Sequence, residues 1–412
     1  MKPGEGFCPL CGNPSGSVDD SADVVEVRSE GTAPATPRRG MNRYKLAASS
    51  LVVFAMILVL VAGSSAMGGH GDDGRHVHEV GALMVDGNLN SDLFRIHSDG
   101  NSGDIEYVGP GSDMEWLVLD ISKAAFVKEG DVYDHREFTH TDGPAISLAD
   151  PGYYEIMLYV DGHLTAIGDA LLRGSVIEDY EWSRTVDGES FDYSVHFEYE
   201  FTDFYRYSMD STGRILEKGM DPAEFAAVDS TILRLSDDLR EEYLDAHGAD
   251  APTDGQDYAN YLLSFVQMVI GFPDQIAYVD GQFVKSGDGC GDLYLYGAEE
   301  YWAYPMETLY YRMGDCEDTS VLYCALLSAS GYTSGMVLLP SHVLVAVALD
   351  DYVADPSGES QYHFVSVEVD GETMYVGDTA FDKYVSLGYI AKVHMVDPDS
   401  VILISPVRPY TV

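Results

Sequence analysis

The sequence predicts an α+β protein, because strand patterns, helical patterns and further strand patterns follow one another along the chain. Between residues 70 and 175, apolar and polar residues alternate, and turn pairs such as Pro-Gly and Asp-Gly separate the segments. Residues 192–201 have an unusually regular strand alternation. Helical spacing of apolar residues follows over residues 221–270, and strand patterns return after residue 336. These observations favour a small, Ig-like β-sandwich at 70–175 followed by an α+β domain at 176–412.

The acidic excess of the chain excludes one class of function. The 412 residues include 69 acidic and 23 basic side chains, for a formal net charge of -46, and residues 70–412 hold 63 of the acidic ones. A surface of this charge repels phosphate backbones, so nucleic acid is excluded as a partner of this part. Because 46% of the residues are hydrophobic, the chain still has enough apolar side chains for buried cores.

An uncharged, apolar run occupies residues 46–66. As a helix, these 21 residues extend about 31 Å, which matches the hydrocarbon thickness of a bilayer. Basic residues flank the run only on its N-terminal side. The sequence therefore predicts a single-pass membrane protein, with residues 1–45 in the cytoplasm and residues 70–412 outside.

A cleaved signal peptide is the alternative interpretation of the same run. Small residues at positions 64–66 have the form of a cleavage site, and Met41 is a candidate start that would give a signal of ordinary length. Both interpretations deliver residues 70–412 to the outside of the membrane.

The N-terminal tail begins with a Cys-x-x-Cys-Gly knuckle formed by Cys8 and Cys11, followed by a Ser-, Asp- and Pro-rich linker. The spacing is that of half a zinc ribbon, in which two thiolates occupy two corners of a tetrahedral Zn²⁺ site. No second cysteine pair follows in the tail. Either two chains of a homodimer share one zinc ion, or the knuckle holds no metal.

Three segments of the C-terminal domain carry candidate chemistry. Cys316 lies in a Gly-Asp-Cys-Glu-Asp motif before an apolar helical pattern, so it is expected at a helix N-terminus, where unpaired N–H groups and the helix dipole favour a thiolate. His342 begins a strand pattern, and Asp378 follows a predicted hairpin with an Asp-Gly turn at 370–371.

Cys, His and Asp in this order, on a helix and two strands, resemble the transglutaminase-like superfamily of papain-type cysteine enzymes. The resemblance covers residues 180–400 and is closest to archaeal membrane-anchored transglutaminase-like domain proteins, in which a Tyr-Pro-x-Glu-Thr-Leu segment, here 304–309, precedes Gly-Asp-Cys-Glu-Asp, here 314–318. It implies that Cys316 is the nucleophile, His342 the general base and Asp378 the orienting acid. No cofactor is implied for catalysis.

Some assignments remain open at this level. Asp355, in an Asp-Pro-Ser segment, competes with Asp378 for the third position. Gln267, on the upstream helix, is interpreted as a helix-surface residue, with donation to an oxyanion as the alternative. Cys324 is expected in the core. Cys290 and Asp292 lie in a Gly- and Asp-rich loop that is interpreted as solvated because it lacks the spacing of an EF-hand, with Ca²⁺ binding as the alternative.

The resemblance implies a thiol enzyme that acts on peptide or isopeptide bonds of a protein substrate, and the predicted membrane run places it outside the cytoplasm. Hydrolysis by a peptidase or amidohydrolase is favoured, with transfer of the acyl group to an amine as the alternative reaction. The alternative, from a different class, is a non-catalytic binding or assembly module of the cell envelope that retains the same fold. Fast reaction of a thiol-directed reagent at Cys316, dependent on His342, distinguishes the enzyme from the binding module.

Overall fold

The structure is a computed structural model in which part of the chain is described. The described residues are 23–26, 77–122, 126–129, 132–135, 138–186, 188–209, 221–272, 276–279, 282–285, 292, 295–296, 301–339, 342–354, 362–369, 371–391 and 403–410. The predicted membrane run at 46–66, the knuckle cysteines Cys8 and Cys11, and the residues Cys290 and Asp355 lie outside these ranges.

The first described strand, β1 (Asp23–Glu26), is followed by two antiparallel sheets that enclose one core. The sheet orders are β2-β3-β12-β11-β6-β9 and β10-β5-β4. Trp116, fully buried, lies in this core and donates its indole N–H to the carbonyl of Gly143 at 2.9 Å. The strands are β2 (His78–Val80), β3 (Leu83–Val85), β4 (Phe94–Asp99), β5 (Ser102–Tyr107), β6 (Met114–Asp120), β7 (Phe126–Glu129), β8 (Val132–His135), β9 (Thr139–Asp142), β10 (Ala145–Leu148), β11 (Gly152–Val160) and β12 (His163–Leu172).

A long two-stranded ribbon and three helices come next. The ribbon strands alternate between buried and exposed residues, and their buried face, with Trp182 and Phe197, joins the core formed by the helices. The elements are β13 (Ser175–Val186), β14 (Glu189–Glu200), α1 (Phe201–Ser208), α2 (Ser230–His247) and α3 (Gln256–Val269). Helix α2 begins later than the apolar spacing suggests, because Asp229 caps it by accepting from the N–H groups of Thr231 and Ile232.

Most of the remaining strands form a seven-stranded sheet with α5 packed on it, and two others, 276–279 and 282–285, form a separate two-stranded sheet. The order of the seven-stranded sheet is β1-β19-β20-β18-β17-β22, with β21 beside β19; β1 pairs in parallel and the others are antiparallel. The elements are β15 (Ile276–Val279), β16 (Gln282–Lys285), α4 (Pro305–Tyr311), α5 (Cys316–Ala329), β17 (Ser334–Leu339), β18 (His342–Ala348), β19 (Tyr362–Val369), β20 (Glu372–Gly377), β21 (Tyr389–Ala391) and β22 (Leu403–Val407).

Strand β18 is buried on both faces. Val343, Val345 and Val347 belong to the helix-side core, whereas Leu344 and Ala346 belong to a second cluster on the opposite face. A strand that is buried on both faces has an uninterrupted run of apolar residues in its sequence, and residues 343–348 form such a run.

The predicted fold class is wrong. The expectation was an α+β, transglutaminase-like domain preceded by a β-sandwich and a single transmembrane helix. The described residues are mostly sheet, and the transglutaminase-like fold is not shown. The physical reason is that the strand alternation continues into long paired strands. The longest, β13 and β14, have twelve residues each. More of the described residues therefore lie in strands than in the five helices of the described ranges.

The predicted single-pass localisation is also contradicted. No helix among the described residues has both the length and the apolar content needed to cross a membrane. In addition, β1, from the tail predicted to be cytoplasmic, pairs with β19, from the domain predicted to lie outside, through the registers Asp23 to Val365 and Glu26 to Glu368. A membrane between these two segments would separate paired strands.

We predict a large difference between two substitutions on α3. Leu263 is fully buried in the helix-side core, whereas Met268 is partly exposed. Leu263→Ala should lower the free energy of unfolding by about 2–5 kcal/mol, because it leaves a cavity. Met268→Ala, the matched control, should cost about 0.5 kcal/mol or less. Urea titration measures both, and equal losses would contradict the packing described.

Candidate active site

Three elements bring the predicted site residues to one end of the central sheet. Cys316 is the first residue of α5, after the extended N-cap residue Asp315. His342 is the first residue of β18, and Asp378 directly follows β20. Because β18 and β20 are neighbours with Val345 opposite Gly377, the start of β18 and the end of β20 lie side by side.

His342 and Asp378 form a buried pair. The ring nitrogen Nε2 of His342 lies 3.1 Å from Oδ1 of Asp378, and the two side chains are 2% and 1% exposed. The same carboxylate oxygen accepts the backbone N–H of Ala380 at 3.1 Å. The N–H of Ala380 therefore fixes the Asp378 carboxylate, and this carboxylate orients the imidazole of His342.

The Cys316 thiol lies next to the strand that carries His342. It is 8% exposed, donates to Oε2 of Glu317 at 2.9 Å, and is approached by the backbone N–H of Val343. Burial, followed by the negative charges of Glu317 and Asp315, raises the pKa of this thiol well above its usual value. In this geometry Cys316 is a neutral thiol, unlike the thiolate expected from a helix N-terminus alone.

A group of hydroxyls ties the first turn of α5 to the two strands. Thr379 lies 2.8 Å from the hydroxyl of Thr319 and 3.2 Å from that of Ser320. Ser320 also donates to the carbonyl of Val343 at 3.3 Å. These buried contacts fix the helix start against the residues that follow Asp378 and His342.

A second set of contacts holds the loop after Asp378 from α3. Gln267 donates to the carbonyls of Asp378 at 2.7 Å and Val385 at 3.1 Å, and its amide oxygen accepts the N–H of Val385 at 3.0 Å. Asn260, seven residues earlier on the same helix face, accepts the N–H of Leu387 at 2.8 Å.

Both sequence interpretations of Gln267 are therefore wrong, since the side chain is 2% exposed and bonds to backbone. The signal that points to this role is the placement of Asn260 and Gln267 two helical turns apart in an otherwise apolar segment. Buried amides at such spacing require partners in the fold.

A cluster of buried carboxylates surrounds the start of α5. Asp292, Asp315 and Asp318 offer oxygen atoms that lie within 4.8 Å of one another, and Asp315, Cys316 and Glu317 form a second such group. The solvated loop expected around Asp292 is wrong for that residue, which is 4% exposed. Cys324 is fully buried, as expected for a core residue.

Comparison with known proteins adds no relative: no family model, no curated protein and no solved structure matches the chain. The chemistry of the site is thus argued from its own geometry. A thiol, a buried imidazole held by a carboxylate, and backbone N–H groups at a helix start lie at one end of one sheet.

We predict that Gln267 has a structural role that Gln256, on the same helix, does not match. Gln267→Ala leaves two buried carbonyls and one N–H without their partner and should destabilise the chain by about 2–4 kcal/mol. Gln256 makes similar bonds to Val353 in an exposed position, and Gln256→Ala should cost about 1 kcal/mol or less. Chemical denaturation measures the free energy of unfolding of both variants. Equal losses would contradict the view that the buried Gln267 holds the loop after Asp378.

Proposed function

We propose that the protein is a thiol-dependent acyl-transfer enzyme that hydrolyses amide bonds of peptides or proteins, with Cys316, His342 and Asp378 as its reactive residues. The observation that carries the proposal is the buried His342–Asp378 hydrogen bond beside the helix that begins at Cys316. The resemblance to transglutaminase-like enzymes supports it through the Gly-Asp-Cys-Glu-Asp motif at 314–318.

The reaction assigns a role to each group. Because Nε2 of His342 contacts Asp378, we assign Nδ1 as the atom that accepts the thiol proton. The sulfur then attacks the carbonyl carbon, a C–S bond forms, and the oxygen takes up negative charge near the N–H groups at the start of α5. Collapse breaks the C–N bond, and His342 returns the proton to the leaving amine. Water, deprotonated by His342, then cleaves the thioester and regenerates the thiol.

Before the reaction can begin, the hydrogen bond that the Cys316 thiol donates to Glu317 must break. Cys316 donates to Glu317, an acceptor that keeps the proton on sulfur, whereas the reaction needs the proton on His342. Burial of the Cys316 side chain favours the uncharged thiol over the thiolate. Substrate binding is therefore expected to turn the thiol away from Glu317.

A second candidate function has one specific observation in its favour. The raised pKa of the buried Cys316 thiol is what a non-catalytic module would also have. In that case the Gly-Asp-Cys-Glu-Asp motif would only stabilise the fold, and the protein would bind a partner without catalysing a reaction. The two candidates differ in the reactivity of Cys316.

We predict that iodoacetamide alkylates Cys316 faster than Cys324. Both lie on α5 and both are buried, and burial raises the pKa of Cys324 to about 12. Cys316, unlike Cys324, lies beside Val343, the neighbour of His342, so His342→Ala should slow its alkylation by about tenfold or more. Peptide mass spectrometry measures the rate at each cysteine separately.

His363→Ala is the matched control, because His363 lies on β19 of the same sheet but away from α5. It should leave the rate at Cys316 unchanged. A rate at Cys316 no greater than that at Cys324, or one that His342→Ala leaves intact, would contradict the enzyme and favour the binding module.

A further inference from the structure

Three carboxylates near Cys316 have no role in the proposed reaction. We propose that Asp292, Asp315 and Asp318 form a calcium-binding site that joins Asp292 to the start of α5. This inference is independent of the proposed thiol chemistry, because it concerns a bound ion and the stability of the fold.

The three side chains converge from separate parts of the chain. Asp315 is the N-cap residue of α5, Asp318 lies in its first turn, and Asp292 precedes them by more than twenty residues. Their carboxylate oxygens lie within 4.8 Å of one another. Asp292 is held in place by the backbone N–H of Tyr301, which donates to Oδ2 at 2.7 Å. The convergence is thus fixed by tertiary structure.

Asp318 supplies the second, independent observation. Its side chain is completely buried, and its Oδ1 accepts the backbone N–H of Ala303 at 2.8 Å. Its other oxygen, Oδ2, is buried without a hydrogen-bond donor in the described part of the chain, as is Oδ1 of Asp315. Leaving such an acceptor unsatisfied is costly, because a carboxylate loses its hydration on burial. A cation between these oxygens would satisfy them.

Among the described residues, the charged groups that act on Asp315 and Asp318 are other carboxylates, namely Glu317, Asp292 and, for Asp318, Glu307. Burial and this repulsion raise the pKa of both groups well above the usual value. A cation between the converging oxygens would offset the repulsion.

The donor set selects the type of ion. Carboxylate oxygens are hard ligands, which favours calcium or magnesium over zinc or copper. Calcium takes several carboxylate oxygens in a flexible geometry, whereas magnesium usually keeps several waters and is held by only one or two carboxylates. Three carboxylates that converge from separate parts of the chain therefore suit calcium better than magnesium.

Thermal unfolding of the full chain with added calcium chloride tests the site. The melting temperature should rise by roughly 5–10 °C when calcium is at about 100 times its dissociation constant. Terbium chloride should show luminescence sensitised by the nearby Tyr301 and Trp302, and calcium should displace it. Magnesium chloride should produce a much smaller rise in melting temperature.

Asp318→Asn and Asp292→Asn should abolish both responses. Without calcium, each variant should be at least as stable as the wild type, because one repelling charge is removed. A variant that is as stable as the wild type without calcium but does not respond to calcium has lost the ion site and not the fold. If one variant does not fold, the other still tests the site.

The matched control is Glu307→Gln. Glu307 is equally buried, but both of its oxygens accept hydrogen bonds, from the Tyr301 hydroxyl at 2.8 Å and the Tyr304 N–H at 2.9 Å. This variant should keep the calcium response. No calcium response in the wild type, a response that persists in Asp292→Asn and Asp318→Asn, or an equal response to magnesium would overturn the proposal.

Discussion

The position of every reactive group depends on how the first turn of α5 is held against the ends of β18 and β20. The contact is made by hydroxyls: Thr379 bridges Thr319 and Ser320, and Ser320 reaches the backbone of Val343. Because these groups are buried, each bond is shielded from competition by water. The thiol, the imidazole and the carboxylate are thereby placed on rigid elements, and Gln267 holds the loop behind Asp378 from the helix on the other side.

The electrostatics of this helix start run against the usual effect of a helix N-terminus. A helix dipole stabilises a negative charge by about 0.3–1 kcal/mol, and up to about 2 kcal/mol when partly buried, which is at most about 1.5 pKa units. Burial, followed by the negative charges of Glu317 and Asp315, acts in the opposite direction and raises the pKa of Cys316 well above its ordinary value. A cation among Asp292, Asp315 and Asp318 would reduce the negative charge on the same side of α5.

Local features of the fold could be predicted from the sequence, and non-local ones could not. The placement of Cys316 at a helix start and of His342 at a strand start follows from short-range periodicity, and the structure has both. The fold class was wrong, because periodicity does not say which strands pair or how much of the chain they include. The roles of Gln267 and Asp292 were also wrong. Gln267 bonds to the backbone of Asp378 and Val385, which are more than a hundred residues away in sequence. Asp292 accepts the N–H of Tyr301, nine residues later, and its burial depends on contacts that its own loop sequence does not show. The hydrogen bond between His342 and Asp378 likewise depends on the pairing of β18 with β20, which a hairpin turn suggests but does not determine.

The central claim is that Cys316 and His342 act together as a nucleophile and its base. The most direct measurement is the reaction of the protein with p-nitrophenyl acetate, followed by release of nitrophenolate and by mass spectrometry of the acetylated peptides. We expect a burst of nitrophenolate stoichiometric with the chain, an acetyl group on Cys316, and loss of the burst in His342→Ala. Slow release without a burst, or an acetyl group distributed over the other cysteines, would contradict the claim.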